Sequence, residues 1–164
     1  KNILPKIDQK LVNEILVVDG GSTDGTIEHV KKLGFKIIIQ SIKGHGGAIL
    51  TGVQNTKSDN IVFFGPDGNH DVNEIKQLIK KIDEGFEQVV ISRFGKGSIN
   101  LDAGKIDTFG NKMFTFFANP FFRGNLTDSL NESRIITRDA FNELKFESCG
   151  LDSTYQMSIR GLKK

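Results

Sequence analysis

No stretch of the 164-residue chain approaches the run of about eighteen apolar residues that a membrane-crossing helix needs, and no export signal is visible. Cysteine occurs once, at Cys149, so no internal disulfide can form, and the reading is a reducing, cytoplasmic setting. With that one cysteine and three dispersed histidines, no structural zinc site is indicated. Neither sign of charge dominates: 22 Lys and Arg against 20 Asp and Glu leave a net of +2, too little to hold nucleic acid by bulk electrostatics. Tryptophan is absent and tyrosine occurs once, against thirteen phenylalanines, five of them between Phe114 and Phe122. There is no low-complexity tract and no internal repeat. What is present, 37% hydrophobic and 26% charged residues, suits one globular domain with a real core.

Strand and helix patterns alternate along the first ninety or so residues. "EILVVD", residues 14–19, is a short continuous apolar run bounded by glycines and reads as a buried strand. A helix follows from a cap at Ser22 or Thr23 to a stop at Gly34. "FKIIIQ" is a second strand, "GGAILTGVQNT" a helix, and "NIVFFG" a third strand. In "DVNEIKQLIKKIDEG" Val72, Ile75, Leu78, Ile79 and Ile82 share one helical face, with Asp71 as its cap, and "QVVISR" is a fourth strand. The alternation predicts an α/β fold, a mostly parallel sheet with helices on both faces, whose ligands sit outside the carboxyl ends of the strands. From residue 104 a long helical stretch runs to Phe122. Two readings of its Phe109, Met113, Phe116 and Phe117 stand: a stripe packed on the sheet, or, helped by Lys105, Lys112 and Arg123, a surface for lipid headgroups or an apolar acceptor.

The loops at the strand ends carry the chemistry. Asp19 ends a strand beside Gly20 and Gly21, where a carboxylate can accept from a ribose hydroxyl or a base N–H, while Asp24 suits a turn-bracing role. In "PDGNHD", Asp67 and Asn69 are two oxygen donors two residues apart, a spacing that lets both face one hard cation, Mg²⁺ or Mn²⁺. His70 is as well suited to bonding its neighbours as to ligating Mn²⁺.

"VVDGGSTDGT", "KGHGGAILTG", "FFGPDGNHDVNEI" and "ISRFG" resemble, in order and interval, the family 2 glycosyltransferases of the GT-A fold, most closely the dolichyl- or polyprenyl-phosphate mannosyl- and glucosyltransferases. The resemblance implies an inverting enzyme that moves a hexose from a nucleoside-diphospho-sugar of the GDP-mannose or UDP-glucose type to a polyprenyl or dolichyl phosphate or a related glycan acceptor. It implies Asp19 and Gly20 on the nucleoside side, Lys43, Gly44 and Asp67 at the diphosphate, and Asp67 with Asn69 at the metal. Arg93 falls near the donor or the acceptor phosphate, Asp128 and Arg134 fall on the acceptor side, and Asp152 takes the place of a late acidic residue that orients or deprotonates the acceptor. No nucleic acid is expected; the cytoplasmic face of a membrane is a candidate location.

The departures from the family pattern are specific. Gly20 and Gly65 stand where a second and a first aspartate are usual, His45 where lysine is frequent, and Asn131, Glu132 and Ser133 where a Ser-Gly-Phe triplet is usual. "KNILPKIDQKLVNE" resembles the tail of the family's first helix, so an inner strand of the sheet is expected to be missing. The expectation is a single catalytic domain over 1–164, a fragment shortened at its N-terminus and open to the same question at its C-terminus. Two alternatives stand beside the transferase: a nucleotide-sugar-binding protein without turnover, and a sugar nucleotidyltransferase.

Overall fold

The computed structural model describes residues 3–65, 70–94, 105–122 and 124–162. β1 (Leu16–Asp19) pairs in parallel with β2 (Lys36–Ile39), and α1 (Thr26–Lys32) makes the crossover. α2 (His45–Gln54) leads to β3 (Asn60–Phe63), α3 (Glu74–Asp83) to β4 (Gln88–Val90), and α4 (Lys105–Phe122) to β5 (Arg134–Thr137). α5 (Arg138–Glu143) and α6 (Ser153–Gly161) complete the chain.

The sheet is mixed rather than mostly parallel. β5 lies between β3 and β4 and is antiparallel to both. Its "RIIT" run is short, but it is the most buried strand, and its two isoleucines alternate across the sheet. Ile136 joins Ile49, Val53, Ile61, Phe141 and Met157 on one face, while Ile135 meets Leu78 and Ile82 on the other. β5 is therefore the centre of the core, a strand that the alternation of the first ninety residues does not announce.

Among the described residues β1 is hydrogen-bonded only to β2 and β3 only to β5, so the strands form two sheets. A cavity of about 1180 Å³ lies between them, lined by Leu16, Val17 and Val18 on one side and Ile61, Val62 and Phe63 on the other. α2 spans the two sheets: its Ile49 and Val53 pack with β3 and β5, and a Cβ on its Gly52 would meet Val18 at 3.3 Å. The segment read as the tail of a helix is instead a single 3-10 turn, Leu4–Lys6, with Pro5 inside it. Proline lacks the N–H that a longer helix would need there.

Two local expectations shift. The cap of α1 is Gly25, in the left-handed region at φ 88°, and not Ser22 or Thr23; Asp24 accepts from the Thr26 N–H and hydroxyl instead. α3 starts after its N-cap Asn73, and Asp71, two residues ahead of that cap, accepts from the Asn73 N–H at 3.0 Å through Oδ1.

The stripe on α4 does not pack on the sheet. Phe109, Phe116 and Phe121 are 70%, 72% and 78% exposed, and the buried positions are Asn111, Thr115 and Ala118. The polar face wins because its partners are specific: Asn111 Nδ2 donates to Asp128 at 2.7 Å, Thr115 to Ser129 at 3.0 Å, and Asn119 exchanges two hydrogen bonds with the Leu126 backbone. Left unpaired inside, those amides and hydroxyls would each cost more than an exposed ring does.

Candidate active site

The carboxyl ends of β1 and β2 are tied by the Gln40 N–H, which donates to the Asp19 carbonyl at 2.8 Å. That places the Asp19 loop and the Lys43–Gly44 loop on one edge. Asp19 is buried, and its turn uses both its carboxylate oxygens: Oδ1 accepts from the Gly21 and Ser22 N–H groups at 2.8 and 2.6 Å, and Oδ2 from the Ser22 hydroxyl at 2.9 Å. The Ser22 N–H bond, working against burial, holds this carboxyl below its ordinary range, so it is ionised at neutral pH. Gly20 beside it is exposed, and a Cβ there would meet no atom within 4 Å.

Lys43 and Gly44 are exposed immediately ahead of α2. The glycines that follow serve a close backbone approach. A Cβ on Gly46 would lie 1.9 Å from the Ser148 carbonyl oxygen, and the Gly46 N–H donates to the Cys149 carbonyl at 3.2 Å. The start of α2 is thereby docked on the loop ahead of α6, where Asp152 sits exposed at the N-cap position and accepts from the Ser148 hydroxyl at 2.6 Å. Its carboxylate caps no helical N–H.

His45 joins three parts of the fold. Its Nδ1 lies 2.7 Å from the Ser153 hydroxyl at the start of α6, and its Nε2 lies 3.0 Å from Glu132 Oε2 in the turn before β5. The other oxygen, Glu132 Oε1, is 3.8 Å from His70 Nε2, and His70 Nδ1 is 3.5 Å from Glu74, which also accepts from Ser133. The His45 hydrogen bond, against burial, holds the Glu132 carboxyl below its ordinary range. The sequence reading names His45 and Glu132 only as departures from a family pattern. Their contact is the missed signal: two departures far apart in the chain, one gaining an imidazole and the other a carboxylate, that complement each other.

Asp67 and Asn69, the expected metal ligands, lie outside the described residues. Among the described residues no three His, Cys, Asp or Glu side chains converge on one ion position.

Arg93 and Asp128 are brought together, bonded to each other. Asp128 has no exposed side-chain surface, and besides Arg93 it accepts from Asn111 and from the Leu130 and Asn131 N–H groups. Burial pushes this carboxyl up, but the Arg93 hydrogen bonds outweigh that and leave it below its ordinary range. Arg134 has no solvent-accessible surface at all. Its guanidinium donates to the Asn131 carbonyl and the Ser158 hydroxyl, so it is not presented to an acceptor. Burial pushes it down to about 10, opposed by Asp128 and Glu132, and it stays charged at neutral pH.

The chain is 27% identical over 158 residues to Glycosyltransferase AglJ of Haloferax volcanii, covering 92% of this chain and 50% of that protein. It is 28% identical over 137 residues to the putative glycosyltransferase CsbB of Bacillus subtilis, covering 80% and 40%. The chain thus spans about half the length of the curated relatives it matches. In three dimensions it resembles glucosyl-3-phosphoglycerate synthase of Mycobacterium tuberculosis, solved with Mn²⁺, UDP and glucosyl-3-phosphoglycerate, at a TM-score of 0.72 and 20% identity over 89% of this chain and 53% of that one. This likeness bears out the GT-A fold. It also overturns the assignment to the dolichyl- or polyprenyl-phosphate branch and to a lipid-phosphate acceptor, since the structures of that synthase hold phosphoglyceric acid. Residues 6–145 match glycosyl transferase family 2, and the chain belongs to that family.

Proposed function

We propose that this chain carries the sugar-transfer site of an enzyme that moves a hexose from a nucleoside-diphospho-sugar of the UDP-glucose type to a small phosphate-bearing acceptor of the phosphoglycerate class. The observation that supports the reading best is the joining, through His45, of the α2 start, the turn before β5 and the start of α6, all at the strand ends. The acceptor class comes from the likeness to glucosyl-3-phosphoglycerate synthase.

A divalent cation suits the carboxylate that Glu132 presents at the end of β3, an oxygen ligand of the kind that Mn²⁺ and Mg²⁺ accept. Asp67 and Asn69 would hold it. Such an ion supplies charge neutralisation as the nucleoside diphosphate leaves. Lys43 and the Gly44 N–H meet the diphosphate, and Asp19, already ionised and braced, orients the Gly20 backbone toward the nucleoside. Asp152, exposed at the head of α6, orients the acceptor hydroxyl or takes its proton. Asp128 holds Arg93 in one orientation, and a pre-set guanidinium binds a phosphate at less entropic cost than a free one. The exposed rings of α4 give a surface for peripheral contact with a membrane.

Calorimetry with UDP and GDP, with Mn²⁺ and with chelator, followed by turnover of UDP-glucose with 3-phosphoglycerate, tests the reading. Metal-dependent binding of one nucleotide together with transfer is expected. Binding without transfer to any acceptor favours the non-catalytic alternative, and no nucleotide binding by the folded chain overturns both.

A further inference from the structure

Position 65 has no side chain, yet the space a side chain would fill is occupied. A Cβ on Gly65 would lie 1.7 Å from Glu132 Oε1 and 2.8 Å from its Cδ. The register explains the encounter. β3 and β5 pair antiparallel with Phe63 opposite Arg134, and the same register continued past the strand ends sets Gly65 opposite Glu132. Side chains opposite one another in an antiparallel pair share a face, so a residue facing a glycine can fold over it.

We infer that Glu132 supplies, from the β5 side, the carboxylate at the carboxyl end of β3, and that its ligand is the divalent cation bridging a nucleoside diphosphate. The inference rests on the sugar-transfer reading above and adds to it a ligand from a different strand.

Three features support it. The Glu132 side chain is 31% exposed, so an ion can reach it. The two oxygens are not equivalent: Oε2 is engaged by His45 at 3.0 Å, whereas Oε1, the atom over Gly65, stands 3.8 Å from His70 Nε2, beyond hydrogen-bond reach. Finally, one carboxylate is enough. Mg²⁺ and Mn²⁺ on nucleotides take much of their coordination from phosphate oxygens and water, so three converging protein ligands are not required.

The test is Mn²⁺ binding, read from the resonance signal of the free ion, to the chain with and without UDP, for the wild type, Glu132→Gln and the exchange variant Gly65→Asp/Glu132→Gly. Glu132→Gln keeps an oxygen that accepts from His45 and removes only the charge. It is expected to weaken Mn²⁺ binding in the presence of UDP by about tenfold or more. The exchange variant, which returns a carboxylate to the same space from the other strand, is expected to recover most of that loss. Wild-type Mn²⁺ affinity in Glu132→Gln overturns the inference while leaving the sugar-transfer reading intact. Absence of Mn²⁺ and UDP binding in the wild type overturns that reading, and this inference with it. Should Glu132→Gln fail to fold, the exchange variant decides alone: Mn²⁺ binding supports the inference and its loss in a folded protein overturns it.

Discussion

Arg93 and Asp128 meet through two parallel hydrogen bonds, Nε to Oδ2 at 2.8 Å and Nη2 to Oδ1 at 3.0 Å, with the Arg93 backbone N–H adding a third to Oδ2 at 3.1 Å. The carboxylate is wholly buried and the guanidinium one-third exposed. Asp128 therefore joins the loop after β4, through Arg93, to α4, through Asn111, and to the turn before β5.

Replacing Asp128 by Ala leaves buried Arg134 without one of its two anionic neighbours and Asn111 without its acceptor. A loss of about 3 to 5 kcal/mol is expected, as for other buried pairs broken from one side. Urea denaturation at neutral pH measures it. A loss below about 1 kcal/mol would place Asp128 among surface charges.

The pH dependence follows from the same carboxyl. Its folded value is held below the ordinary 3.8, so its contribution is fully present above 3.8 and is lost as the pH falls through the depressed folded value. Thermal melts should show the midpoint falling on the acid side of pH 4, and Asp128→Asn should flatten that part of the curve.

Gly46 and Gly20 make an internal comparison. Gly46→Ala drives a Cβ to 1.9 Å from a backbone oxygen and should cost about 1 to 3 kcal/mol, while Gly20→Ala enters open space and should stay within about 0.5 kcal/mol. Equal effects on the melting temperature would contradict the docking of α2 on the 148–150 loop.

The core strand predicts a symmetrical result. Ile135 and Ile136 are 1% and 0% exposed on opposite faces of β5, and truncation of either to Ala should cost about 2 to 5 kcal/mol in denaturant unfolding.

On α4 the expectation is reversed. Phe109→Ser and Phe116→Ser remove rings that are 70% and 72% exposed, so stability should hold within about 0.5 kcal/mol. Flotation with anionic vesicles should show the wild type bound and the pair of substitutions released; equal flotation would remove α4 as the contact surface.

Much of this was legible residue by residue. The apolar runs before Gly20 and after Ser58, the amphipathic period of α3 and the left-handed stop at Gly34 are short-range patterns, and the observed elements begin and end within a few residues of them. The loops after Asp19 and ahead of His45 were also legible as strand-end loops. Their partners were not. The hydrophobic stripe on α4 stays open between core and surface until Asp128 and Ser129 are seen to claim the opposite face, because burial depends on what lies across the contact and not on the helix alone.

Local order and composition were enough for the succession of strands and helices and the family pattern with its two missing carboxylates. Pairing across the chain settled the rest. β5 entered between β3 and β4, Arg134 went inside, and Glu132 came to stand over Gly65 beside His45. The physical reason is range. Propensity and periodicity act over a few residues, whereas register joins segments that are remote in sequence, and it is register that sets a glutamate against a glycine.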